Sequence, residues 1–154
     1  MKTRVQAVPT GYHTITPYLM ARDAAQLLDF IEQAFGAVVV RRMARPDGAI
    51  AHAEAQIGDS RIMLAQGSEK WPARPCALYL YVEDVDRVFR QAVAAGARPV
   101  MEPTDMYYGD RHGGVTDMQG NDWWIATHIE EISEAELLRR DAEYWKSASA
   151  APSA

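Results

Sequence analysis

The 154-residue chain has a single cysteine, Cys76, so no internal disulfide can staple the fold. A thiol nucleophile needs a lowered pKa and a neighbouring base, and the residues around Cys76 supply neither. Cys76 therefore reads as a small, half-buried residue ahead of a strand. There is no basic run, and the net charge is −5, which leaves no electrostatic footprint for nucleic acid or a membrane surface. No apolar run approaches membrane-spanning length, and the N-terminus lacks the apolar core of a signal peptide. These absences point to a reduced thiol in a cytoplasmic protein that engages neither nucleic acid nor membrane.

What is present is an ordinary core-forming composition, 48% hydrophobic. Residues 1–12, punctuated by Pro9 and Gly11, read as a mobile arm. A strand is expected from Thr14 to Ala21, then a helix capped by Asp23. Leu27, Leu28, Ile31 and Phe35 give that helix one apolar stripe, and Gly36 stops it. Val38-Val39-Val40 begins a strand; Ile50 to Ile57 and Arg61 to Gln66 are two more, joined by a turn at Gly58-Asp59. Residues 69–76 are a linker, with Trp71 expected to cap it over the core.

The same order then recurs. Ala77 to Val82 reads as a strand, Asp84 caps a helix that Gly96 ends, Ala97 to Met101 is a strand and Pro103-Thr104-Asp105 a loop. Two last strands flank the turn Met118-Gln119-Gly120-Asn121, within the polar and aromatic stretch from Tyr107 to His128. The helix caps lie 61 residues apart and the helix stops 60, in register with the element order, which is the mark of an internal duplication. A final helix over 130–146 starts on a capping box, Ser133 with Glu136, and could dock through Leu137, Leu138 and Trp145; residues 147–154 read as a disordered tail. The fold class expected is α+β: two tandem βαβββ modules, residues 13–68 and 77–129, forming a curved mixed-sheet cleft, with a C-terminal helix.

Strand alternation sorts side chains between the helix side and the opposite face. Ile15, Pro17, Leu19, Leu78, Leu80, Val82, Trp123, Ile125 and Thr127 go to the helices. Tyr18, Met20, His52, Glu54, Met63, Tyr79, Tyr81 and Trp124 go to the other face. That face is aromatic and methionine-rich with few polar groups, the character of a small-molecule pocket; a subunit interface would show it too. Tyr107 and Tyr108 suit the rim. Asp110 and Arg111 could pair with each other or with an anionic ligand.

Several segments carry a family resemblance: Thr16-Pro17-Tyr18-Leu19, Phe35-Gly36-Ala37, His52-Ala53-Glu54, Ile57-Gly58-Asp59-Ser60, Tyr81-Val82-Glu83-Asp84-Val85-Asp86, Tyr108-Gly109-Asp110-Arg111 and Trp124-Ile125-Ala126-Thr127-His128. With the duplicated order, they make the chain resemble the vicinal oxygen chelate superfamily of glyoxalases, bleomycin-resistance proteins and extradiol dioxygenases, and within it the PhnB-like branch. The resemblance implies a cleft often completed by homodimerisation. It also implies, in the metalloenzymes, one ligand from each of four strands. Those four positions fall on Thr16, Met63, Ala77 and Trp124, none a plausible metal ligand. A second departure is Asp117-Met118-Gln119-Gly120, where the family often has a proline after the aspartate, which puts the rigidity of that turn in question.

The functional expectation is a protein that binds a small aromatic or amphipathic molecule without the usual metal or another cofactor, a sequestration or resistance activity. Tyr18, Met20, His52, Met63, Tyr79, Tyr81, Tyr108, Asp110, His112 and Trp124 are the candidate ligand-binding residues. The alternative is a lyase, isomerase or dioxygenase. It would use a displaced metal on His52, Glu54 or His112, or acid-base chemistry by Glu54 and Arg111, with apolar surroundings raising the Glu54 pKa.

Overall fold

A computed structural model describes residues 5–150. The elements run β1 (Tyr18–Ala21), α1 (Ala24–Phe35), β2 (Val38–Ala44), β3 (Ile50–Ile57), β4 (Ser60–Gln66), then β5 (Ala77–Tyr81), α2 (Val85–Ala94), β6 (Arg98–Asp105), β7 (Asp110–Thr116), β8 (Asp122–His128) and α3 (Glu134–Ala150). Two four-stranded mixed sheets result, ordered β1-β4-β3-β2 and β5-β8-β7-β6. In each, the first and last strands of a module pair in parallel and the others antiparallel. This repeated βαβββ topology makes the chain α+β.

Both helices start where a carboxylate meets free backbone donors. Asp23 accepts from the Gln26 N–H and Asp84 from the Arg87 N–H, each at 2.9 Å. Gly36, in the left-handed region at φ +65°, closes α1; α2 ends one residue before Ala95, with Gly96 following at φ +107°. The two helices pack on one another, and Phe30 and Phe35 of α1 reach Trp123 of β8, at ring separations of 6.4 and 4.7 Å. One apolar core thus serves both modules, and each sheet keeps its other face uncovered by helix.

Several local expectations are corrected. The first strand starts at Tyr18 rather than Thr14, and Ile15, expected in the core, is 84% exposed, because the chain bends at Thr14 and Ile15. The sixth strand continues to Asp105, through the segment expected as a loop. Pro103 is tolerated there because β6 is an edge strand and its pairing is irregular between Met101 and Thr104. Trp71 is exposed and does not cap the core; Lys70 sits over its ring.

α3 continues to Ala150, through part of the segment expected as a tail; residues 151–154 lie outside the described ones. Its dock also differs. Leu138 and Trp145 are exposed, and the helix is held by Tyr144 stacked on Tyr107 at 4.9 Å and by a Tyr107–Asp141 hydrogen bond of 2.7 Å. Arg140 adds a two-pronged pair to Glu130.

Candidate functional site

Parallel pairing of β1 with β4 sets Tyr18 beside Met63, and pairing of β5 with β8 sets Tyr79 beside Trp124. All four occupy the faces turned away from the helices. Tyr18, Tyr79 and Tyr81 are 54%, 44% and 64% exposed, large aromatic areas that a chain of this size has left open. The polar candidates fall into two clusters, one on each sheet.

On the second sheet the centre is Asp110, 4% exposed. Its carboxylate accepts from the Tyr79 and Tyr81 hydroxyls at 3.1 and 3.0 Å, and lies 2.8 Å from His128 Nδ1. Burial raises the Tyr79 and Tyr81 pKa values, and the Asp110 charge adds to this, so both phenols stay protonated donors. The hydrogen bond to Asp110 raises the His128 pKa, against a smaller opposing effect of burial. His112 lies beside this group, with ring contacts to Tyr79 and Trp124 at 5.1 and 5.2 Å and a 2.8 Å hydrogen bond to the Tyr108 hydroxyl. Burial lowers its pKa, so the ring is neutral. Its Nε2 is, among the described residues, the one buried side-chain polar atom without a partner.

On the first sheet the centre is Glu54, also 4% exposed. One oxygen accepts from the Tyr12 hydroxyl; the other lies 3.1 Å from His52 Nε2 and 3.6 Å from an Arg41 guanidinium nitrogen. The Tyr12 hydrogen bond holds the carboxyl below the usual glutamate range, burial opposes it, and His52 and Arg41 add to the lowering. The expected upward shift is therefore overturned: specific donors outweigh desolvation, and Glu54 is ionised. His52 also meets the Tyr18 ring edge-on at 5.7 Å. Met20 and Met63 are half-buried on the same face.

Arg111 joins neither cluster. It is on the opposite face of β7 from Asp110 and His112, and grips Asp86 of α2 through two hydrogen bonds of 2.7 and 2.8 Å, with Asp105 at 2.8 Å. The considered Asp110–Arg111 pair does not form, because adjacent strand residues face opposite ways. Glu54 and Arg111 are not brought together, because they stand on different sheets and Arg111 turns towards α2. His52 touches Glu54, but His112 belongs to the other sheet's cluster. Among the described residues no three His, Cys, Asp or Glu side chains gather as a metal-binding group.

Two residues emerge that the pattern undervalued. Tyr12 sits in the arm, and no local signal ties it to a strand more than forty residues on. His128 gains its partner only from strand pairing, which sets it opposite the buried carboxylate of Asp110.

With this geometry in hand, the model of the Glyoxalase/Bleomycin resistance protein/Dioxygenase superfamily matches residues 11–125. The chain belongs to that superfamily. An uncharacterized protein of Mycobacterium tuberculosis is 34% identical over 134 residues, covering 80% of this chain and 79% of the relative. Among solved structures, TioX from Micromonospora sp. ML1 superimposes with a TM-score of 0.66 at 25% identity, over 76% of this chain and 99% of TioX. TnmS3 from Streptomyces sp. CB03234, described as an antibiotic binding protein, does so with a TM-score of 0.62 at 17% identity, over 80% of this chain and 99% of its own; at that identity the likeness is one of fold. Met63 lies on β4 and Trp124 on β8, the last strands of their modules. Thr16 lies just ahead of β1, and Ala77 pairs with Asp122 at the start of β5.

Proposed function

We propose that this chain binds a small aromatic or amphipathic molecule on the aromatic faces of its sheets, without the divalent metal of the superfamily's metalloenzymes, and acts by sequestration. The observation that carries the reading is the pairing of Tyr18 with Met63 and of Tyr79 with Trp124, which lays flat and polarizable side chains side by side on the open faces of both sheets. The likeness in fold to TnmS3, an antibiotic binding protein, supports it. Tyr108 and His112 supply orienting polar groups beside the Tyr79 and Trp124 rings.

The working unit is a homodimer. Among the described residues β5 has no strand on its outer edge, and a groove of about 930 Å³ opens beside it, lined by Leu78, Leu80, Phe35 and Trp123. A second copy would cover both the edge and the apolar lining. A cytoplasmic site suits the lone, half-buried thiol of Cys76.

The test is a thermal-shift screen of the purified chain against flat aromatic compounds and, separately, Zn, Ni and Mn salts. A ligand present at 100 times its Kd stabilises by about 2.7 kcal/mol. Stabilisation by an aromatic compound and none by the metals is the expected result. Stoichiometric Zn, Ni, Mn or Fe in protein purified without chelator would overturn the metal-free reading.

A further inference from the structure

A second cavity, of about 400 Å³, lies between the N-terminal arm and the first sheet. Val8, Pro9 and Tyr12 of the arm form one side; Glu54 and Met63 form the other, with Arg41 beside them. Most of this lining is apolar, yet it contains a buried, ionised carboxylate. A carboxylate has about four lone-pair sites. Tyr12 uses one, and His52 lies against the second oxygen. Arg41 is the cation at hand, but at 3.6 Å it is beyond hydrogen-bond reach, and its side chain is 60% exposed. Such a loose pair contributes little and is easily displaced. Glu54 is thus a buried carboxylate with unused acceptor capacity, met by Tyr12 and His52 and approached by the Arg41 guanidinium only at 3.6 Å.

We propose that this cavity is a subsite for the protonated amine of an amphipathic ligand, with Glu54 as its acceptor and the arm packed over the ligand's apolar portion. An ammonium supplies the short charge-assisted donor that Arg41 does not, and the apolar lining accommodates the carbon skeleton next to it. A hard inorganic cation is a poor alternative, since it demands several oxygen ligands and a single carboxylate is present. The chain's net charge of −5 also favours approach of a cation. The proposal rests on the reading of the protein as a small-molecule binder and specifies the chemistry of one end of its ligand.

The test uses the full chain and a matched pair of probes, 2-naphthylmethylamine and 2-naphthalenemethanol, titrated by NMR. The amine is expected to bind about tenfold more tightly than the alcohol, the increment of a charge-assisted hydrogen bond. Glu54→Gln should abolish that difference. Arg41→Ala, which removes the competing cation, should tighten amine binding and leave the alcohol unchanged; it keeps the test decisive if Glu54→Gln does not fold. Equal affinities for the two probes, a preference that survives in E54Q, or amine binding unchanged or weakened in R41A would each overturn amine recognition alone. Saturable binding of neither probe would overturn the small-molecule reading itself.

Discussion

The Trp124 indole lies over Gly114 on the neighbouring strand so closely that a methyl group at Gly114 would overlap its six-membered ring. The corresponding cross-strand pair in the first module is Glu54 with Met63. Duplicated backbones therefore carry opposite contents at the same place: a buried carboxylate in one sheet, a glycine roofed by an indole in the other. The two faces consequently differ in chemistry, the first holding a charge and the second an aromatic wall.

Gly114→Ala should test that packing directly. Overpacking of this kind costs about 1–3 kcal/mol, read as a lowered urea midpoint with unchanged slope. Combining it with Trp124→Ala should recover part of the loss; strict additivity of the two would show that the indole does not press on Gly114.

The turn without the family's proline is stiffened by Asp117, which is buried. Its carboxylate accepts from the backbone N–H groups of Gln119 and Asn121, the Asn121 side-chain amide and the Trp123 indole N–H, at 2.8–3.0 Å. Asp117→Ala strands these buried donors and should cost about 3 kcal/mol or more. Chemical denaturation reports it. A variant as stable as the parent would mean the turn is held by something else.

Stability should depend on pH from two sides. The folded-state pKa of Glu54 is lowered, so its contribution is present above the ordinary glutamate range and lost as pH falls towards the folded value. The folded-state pKa of His128 is raised, so its contribution is fully present below the ordinary histidine range and lost as pH rises through the folded value. Urea midpoints across pH should therefore show a weaker acid limb in Glu54→Gln and a shallower neutral-to-alkaline slope in His128→Asn. The neutral His112 ring gives a slope of opposite sign near the same range, so each variant is compared with the parent at every pH.

Arg111→Ala should separate structure from binding. The side chain ties α2 to β7 and β6 through Asp86 and Asp105, on the face of β7 opposite to Asp110 and His112. A fall in Tm of a few degrees with unchanged affinity for any ligand found in the screen is expected. Loss of binding at unchanged stability would return Arg111 to the site.

Much of the architecture was legible because it is written in local and periodic signals. Asp23 and Asp84 announce their helices by capping chemistry, and the spacing of those caps reveals the repeat. Alternation correctly sent Trp123 and Ile125 under the helices and Tyr18, Tyr79 and Trp124 to the other face. The strand limits were less legible: Pro103 looks like a breaker, and only its place on an edge strand makes it harmless.

The sequence by itself determined the duplicated βαβββ order and the face on which Tyr18, Tyr79, Trp123, Trp124 and Ile125 stand, since period and residue type are properties of short stretches. Only the tertiary structure decided partners. It set Tyr12 on Glu54, His128 on Asp110 and Arg111 on Asp86, and it made Glu54 an ionised acceptor where burial alone would have raised its pKa. The reason is physical: a hydrogen bond or a pKa shift depends on which atoms lie within a few ångströms, and chain segments that meet across a sheet leave no mark of that meeting in their local pattern.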